Sequence, residues 1–183
     1  MAGYLGRHRH RLYDKIIRVN HAGELGADRI YFGQMVALRR RDPAAAAVVQ
    51  EMWNKEKEHL QKFEYLMAKH RARKSILTPI WQVGAFGLGF IPALMGPRAA
   101  MAVTEAVEKV IVEHYDSQLR ELVADDPVAH EELINVISQF RDDEQDHHDC
   151  AIDNEAKKAP AYKIVNTIVE NICKIAVKVA EKV

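Results

Sequence analysis

The sequence predicts an all-α protein: four long helices and one more at the end. Three observations predict it. Apolar residues recur every three or four positions along almost the whole chain, the period of one helix face. Pro43, Pro97, Pro127 and Pro160 fall between the periodic runs, where a fixed φ suits the first turn of a helix. No run has the alternation and composition of a strand.

The first helix is expected from about Leu12 to about Arg40, with Ile16, Ile17, Leu25, Tyr31, Met35 and Leu38 on its apolar face. Pro43, after Asp42, restarts a helix that carries Val49, Met52, Trp53, Leu60, Phe63, Leu66 and Met67 and ends near Lys74. Pro97 opens a third, through Val103, Val107, Val110, Ile111, Tyr115, Leu119 and Leu122. Asp126-Pro127 ends it and starts a fourth, through Leu133, Ile137 and Phe140 to about Asn154. Ala159-Pro160 opens the fifth, from Ala161 to the C-terminus. Pairs of helices joined by short Pro-containing turns are the plan of a helix bundle.

Between the second and third helices, Ser75–Pro97 holds 23 residues without a charge. That length can span a bilayer. Pro79, Pro92 and Pro97, with Gly84, Gly87, Gly89 and Gly96, make it a poor continuous helix. The expectation is a crossover helix or hairpin resting in the membrane interface; the alternative is a crossover buried in the bundle. Trp81, Phe86 and Phe90 suit both. The last helix, 160–183, is amphipathic, with Ile164, Val165, Ile168, Ile172, Ile175 and Val179 among Lys163, Lys174, Lys178 and Lys182. Such a helix lies on an anionic membrane or packs on a bundle with its lysines in water.

Composition bounds the function. The chain has 183 residues, 48% apolar and 28% charged, which predicts one globular domain over 1–183. Its 26 basic residues equal its 26 acidic ones, which argues against a nucleic-acid partner. Cys150 and Cys173 make no disulfide framework, so a reducing compartment is the default. No GxGxxG follows a strand, so no nicotinamide or flavin fold is indicated. The basic run Arg7, His8, Arg9, His10 and Arg11 has no apolar segment after it and is not a secretory signal. It reads as a solvated basic tail over 1–11, the stub of a cleaved mitochondrial transit peptide, a bacterial start or an expression remnant.

The chemistry lies in a conflict within the pattern. Helix two reads Met52, Trp53, Glu56, His59, Leu60, Phe63; helix four reads Ile137, Phe140, Glu144, His147, Ala151. In each, a Glu and a His three residues on interrupt the apolar stripe and share one helix face. By chance about 0.7 such pairs are expected, so two alone decide little. Repetition and location decide more. Glu24 lies on the stripe of helix one with Ala27, Tyr31 and Leu38, and Glu108 on that of helix three with Ile111, Tyr115 and Leu122. Glu105 and Glu113 compete with Glu108, and Glu58 with Glu56; the stripe favours Glu108 and Glu56. Four carboxylates in an apolar interior cannot stay ionised without compensation. Two divalent cations neutralise four Glu, and hard oxygen plus imidazole suits iron or manganese. One Glu from each of two helices and Glu-x-x-His from each of two others is the ligand plan of di-iron carboxylate bundles. The alternative places these residues on wet outer faces.

At these residues the sequence resembles the demethoxyubiquinone monooxygenases of coenzyme Q biosynthesis. The stretches that carry the resemblance are Ile16-Ile17-Arg18-Val19-Asn20-His21-Ala22-Gly23-Glu24, Met52-Trp53 through Glu56 to His59, Ala106-Val107-Glu108, His114-Tyr115, Phe140-Arg141-Asp142 through Glu144 to Asp149, and Ala159-Pro160-Ala161-Tyr162. Arg39-Arg40-Arg41, Ala44 to Ala47 and Pro92 look less like the family. The resemblance implies a ferritin-like four-helix bundle with a central di-iron site. It implies two Fe ions per chain, held by Glu24, Glu56, His59, Glu108, Glu144 and His147, with Glu56 and Glu144 as bridges. It implies O2 as co-substrate and a demethoxyubiquinone (or demethoxyubiquinol) ring as the target: one oxygen atom enters the ring and the other leaves as water. An external reductant is needed, NADH or a separate reductase. Asp28, Asp143 and Asp146 are candidate acceptors for the ligand imidazoles. Tyr115 and His114, about two turns from Glu108, are candidate catalytic residues for the quinone pocket or for moving an electron or proton, with core packing the plainer role.

The polyprenyl tail of such a substrate implies a membrane surface as partner, met by 75–97 and the last helix. A eukaryotic member implies a lipid-binding partner protein of the same pathway, on the matrix side of the mitochondrial inner membrane; a bacterial one implies the cytoplasmic face. An oligomer is compatible with the sequence. The rival readings are a ferroxidase or peroxidase on the same fold and a non-catalytic quinone or lipid carrier.

Overall fold

A computed structural model describes the backbone from Ala2 to Val183 and the side chains from Gly6 onward, Arg7 excepted. Its elements are α1 (Ala2–Leu38), α2 (Pro43–His70), α3 (Thr78–Ala93), α4 (Pro97–Asp125), α5 (Glu131–Asp153), a short 3₁₀ turn (Ala156–Lys158) and α6 (Tyr162–Ala180). Among the described residues there is no strand. The all-α class holds, and six helices fit a ferritin-like fold. By contact the chain falls into two compact units, Met1–Leu94 with Ile175–Val183, and Met95–Lys174. Each is built on a helix pair closed by a short turn: α1 with α2, and α4 with α5.

α1 starts ten residues before the expected Leu12. Nothing in 2–11 stops a helix, and arginine and leucine are good helix formers. The exposed His8, Arg9, His10 and Arg11 therefore ride on its first turns; the side chain of Arg7 lies outside the described residues. α2 starts where Asp42 caps it, its Oδ1 accepting from Ala45 N–H at 3.0 Å, with Pro43 in the first turn. It ends at Arg71, whose left-handed φ of 55° turns Ala72 N–H back onto the Met67 carbonyl at 3.0 Å. α6 is preceded by the 3₁₀ turn and begins one residue after the expected Ala161. The buried stripes of α2 (Val49, Met52, Glu56, His59, Phe63, Leu66) and α5 (Leu133, Ile137, Phe140, Glu144, His147, Ala151) keep the three-and-four spacing read from sequence.

In the first unit, α3 packs on α1 through glycine. A Cβ on Gly33 would lie 2.5 Å from the Phe86 carbonyl oxygen and 2.7 Å from Phe90 N, and one on Gly89 would collide with the Ile30 backbone. The glycines that weaken an isolated helix are here what lets two backbones touch. Pro79 sits in the first turn of α3 and Pro92 in the last, so Thr78–Ala93 is one helix. Phe86 packs on Phe32 of α1, ring centroids 5.5 Å apart, and stacks on Phe90, also 5.5 Å away. Trp81 Nε1–H donates to Ser75 Oγ at 3.1 Å, and the ring packs with Val19, Ala22 and Ala180. The other side of the segment, Ile76, Ile80, Val83 and Ile91, is exposed. Burial in a bundle therefore does not describe α3. Among the described residues no helix is long and apolar enough to cross a membrane.

Arg18 ties the end of the chain to α1. Its guanidinium donates to Asp14 Oδ2 at 2.6 Å, to the Ala180 carbonyl at 3.1 Å and to the Glu181 carbonyl at 2.8 Å. Asp14 also accepts from Arg73 N–H at 2.9 Å and from Arg73 Nη2 at 2.9 Å. Burial pushes the Asp14 carboxyl up, but the Arg73 and Arg18 hydrogen bonds outweigh it and bring it down to about 2.

Candidate metal centre

In the first unit, α1 supplies Glu24 and α2 supplies Glu56 and His59, exposed by 3%, 0% and 2%. One ligand atom of each lies within 4.8 Å of the others, and His59 Nδ1 is 3.6 Å from Glu24 Oε2. In the second unit, α4 supplies Glu108 and α5 supplies Glu144 and His147, all buried. Their ligand atoms also lie within 4.8 Å of one another, with His147 Nδ1 3.1 Å from Glu144 Oε2. Each unit thus folds one triad of two carboxylates and an imidazole out of its helix pair. The i, i+3 spacing aims the Glu and the His of α2, and those of α5, at one point, and a neighbouring helix adds the third group.

Two carboxylates buried against one imidazole are an unstable arrangement for a metal-free interior. Carboxylate oxygen and neutral imidazole nitrogen are a good donor set for a first-row cation such as iron. The triads therefore fit the metal that their residue types suggest.

The competing carboxylates separate cleanly. Glu58 and Glu113 are exposed, and Glu113 lies 3.5 Å from Lys174 Nζ. Glu105 is buried, but Oε2 is taken by Tyr162 OH at 2.9 Å and Asn166 Nδ2 at 2.5 Å. Burial, then the neighbouring Glu105 carboxylate, pushes the Tyr162 phenol up to about 12. Among the expected outer acceptors, Asp28 takes the Trp53 indole N–H at 2.7 Å and Arg29 at 3.2 Å, and Asp146 is exposed. Asp28 thus holds Trp53, one turn before Glu56. Asp143 is half-buried. Tyr115 is buried in α4; His114 is half-buried, its Nε2 2.7 Å from Gln118 Nε2 and its ring 6.5 Å from that of Tyr115.

Sequence reasoning missed His21. It is 2% exposed, and neither ring nitrogen has a hydrogen-bond partner. Burial pulls its pKa down, and nearby Lys74 adds to that. It also missed the role of Glu105, for which the signal was Tyr162 in the Ala-Pro-Ala-Tyr stretch.

Residues 11–180 match the family model described as "Ubiquinone biosynthesis protein COQ7". The chain belongs to that family. A protein of Caenorhabditis elegans named NADPH-dependent 3-demethoxyubiquinone 3-hydroxylase, mitochondrial, is 46% identical over 96% of this chain and 92% of its own length. The human protein of the same name is 47% identical over 92% of this chain and 77% of its own. The 3-demethoxyubiquinol 3-hydroxylase of Rhodospirillum rubrum is 41% identical over 94% of this chain and 79% of its own. The chain is accordingly an enzyme, a monooxygenase, and the carrier reading falls.

Proposed function

We propose that this COQ7-family chain hydroxylates the ring of a demethoxyubiquinone, using O2 and a pair of iron ions. The observation that carries the reading is the repeated buried triad, Glu24–Glu56–His59 and Glu108–Glu144–His147. Three protein ligands leave an iron coordination positions to fill, and four Glu against two divalent cations balance in charge. The proposal is that Glu24 and Glu108 would each serve one iron, His59 and His147 would complete the set, and Glu56 and Glu144 would be the bridging carboxylates. Bound iron would supply O2 activation. One oxygen atom enters the ring, the other becomes water, and two electrons come from a reduced nicotinamide. The names of the animal relatives favour NADPH over NADH for that role.

The chain's own residues supply position and environment. His59 and His147 must be neutral to donate a lone pair. Tyr31, Met52, Phe63, Ile137 and Phe140 surround the ligand stripes with apolar mass and keep water out. Asp28 fixes the Trp53 ring beside Glu56. Tyr115 and His114 are proposed to line the ring pocket. The exposed apolar sides of α3 and α6 would rest in the membrane interface that holds a polyprenylated quinone, on the matrix side of the mitochondrial inner membrane or its bacterial equivalent. A lipid-binding partner protein and an oligomer belong to the same proposal. A ferroxidase has no use for an apolar α3, and two cysteines cannot hold the four-cysteine iron site of a rubrerythrin-like peroxidase.

Anaerobic loading with iron(II), elemental analysis per chain and turnover of a demethoxyquinone test the reading. Two irons per chain and a hydroxylated product are expected; Glu108→Ala should lose metal and more than about 100-fold in turnover, since even outer partners cost 10–100-fold. Iron-free chains that still turn over would end it.

A further inference from the structure

α4 carries Glu105, Lys109 and Glu113 one turn apart, and α6 carries Tyr162, Asn166, Glu170 and Lys174 at the same spacing. Steps of four keep each set on one helix face. Glu105 takes Tyr162 and Asn166, as above. Lys109 Nζ donates to Glu170 Oε1 at 2.7 Å, and Lys174 Nζ lies 3.4 Å from Glu170 and 3.5 Å from Glu113. The pairs ascend together, so α6 runs parallel to α4 over this length.

Glu105 differs from the pairs that follow it. It is 5% exposed, whereas the Lys109 and Glu113 side chains are 43% and 53% exposed. Exposed ion pairs contribute little. A buried carboxylate without its donors is costly. His148 Nε2 stands 3.7 Å from its other oxygen, beyond hydrogen-bond reach, so Tyr162 and Asn166 are the donors on Oε2. Apolar contact shares the hold: Val169 is buried and Val165 and Cys173 are half-buried on the same face, while Ile164, Ile168 and Ile172 face outward. Glu108 lies three residues on from Glu105 and shares that face of α4, so α6 seated on Glu105 and Lys109 also covers the Glu108 side, with the half-buried Cys173 on the same helix. Burial, then Glu108 and Glu170, push the Cys173 thiol up to about 12.

We propose that Glu105 is a positioning residue for the hydroxylation, holding α6 through Tyr162 and Asn166 as a cover over the Glu108 side of the metal triad. It touches neither metal nor substrate. The consequence for turnover rests on the proposed metal reading; the seat of α6 rests on the hydrogen bonds alone.

The test uses the full chain, metal-free, with Cys150→Ser so that Cys173 is the single thiol. A maleimide reports how often α6 lifts. Glu105→Ala should label about tenfold faster, the factor that ~1.4 kcal/mol makes in an equilibrium constant. Glu105→Gln keeps an acceptor oxygen for both donors and should stay within about twofold of the parent. Should Glu105→Ala not fold, the double variant Tyr162→Phe/Asn166→Leu replaces it with the same expectation. On iron-loaded chains the same variants should spend more reductant per hydroxylated product. Parent-like labelling in a folded, donor-deprived variant overturns the proposal. Faster labelling in the variant, together with a parent chain that takes up no iron on anaerobic loading, would leave the cover standing and remove the metal reading instead.

Discussion

The two units solve the same problem and then diverge. Each folds a Glu helix against a Glu-x-x-His helix and buries the resulting triad. Each then adds a third helix by a different physics. α3 is fixed on α1 by backbone contact at Gly33 and Gly89, a fit that tolerates no added atom. α6 is held on α4 by hydrogen bonds and ion pairs at Glu105, Lys109 and Glu113. Close packing is stiff and blind to salt. Charge pairing is adjustable and screened. The first unit therefore has a flank set by close packing, and the second one set, over residues 162–174, by polar pairs.

The comparison breaks most severely at Gly89. Gly89→Val must push α3 away from α1, at about 2–3 kcal/mol. A melting temperature lower by roughly 5–10 °C is the expected reading for a chain of this size. Gly87→Ala, two residues away with nothing within 4 Å, should be neutral or stabilising by up to ~1 kcal/mol. Equal effects at the two positions would remove the packing argument.

Acid comes next. The Asp14 carboxyl titrates near 2 in the fold and at its ordinary 3.8 when unfolded, so its contribution is present above about pH 4 and is lost as pH falls toward 2. Asp14→Asn should flatten the acid limb of a stability–pH curve measured by denaturant titration over that window. The same steep loss in Asp14→Asn would assign the limb to other groups.

Membrane binding sharpens the comparison without disturbing the fold. Phe86 and Phe90 are poor probes, because their rings pack on α1 and on each other. Val83 and Ile91, 77% and 64% exposed, are better ones. Val83→Asp/Ile91→Asp should abolish flotation with anionic liposomes and move stability by no more than about 0.5 kcal/mol per site. Unchanged flotation would take α3 out of the interface. The smallest effect is that of salt. Raising ionic strength should speed maleimide labelling of Cys173 severalfold at most, since exposed pairs contribute ~0–1 kcal/mol each. It should leave the α3 side unaffected in hydrogen exchange.

Much of this is legible in the amino-acid sequence. Glu56/His59 and Glu144/His147 stood out because a polar pair breaks an apolar stripe, and stripe position is a local property of sequence. Glu24 and Glu108 were legible for the same reason. The meaning of Gly33 and Gly89 was not, because a glycine's use depends on which backbone arrives opposite it. The stripe favours Glu108 over Glu105, but what Glu105 does is decided by Tyr162 and Asn166, 57 and 61 residues on. The early start of α1 escaped because helix propensity without an apolar face leaves no periodic trace.

Arg18 caps carbonyls that lie 162 and 163 positions further along the chain. That cap cannot exist before residues 180 and 181 have been made. N-terminal parts fold first during synthesis, so α1, α2 and α3 can settle while Arg18 still waits for its carbonyls. Locking of that segment thus follows the packing of the first three helices, and a chain cut before Ala180 would arrive with the latch permanently undone.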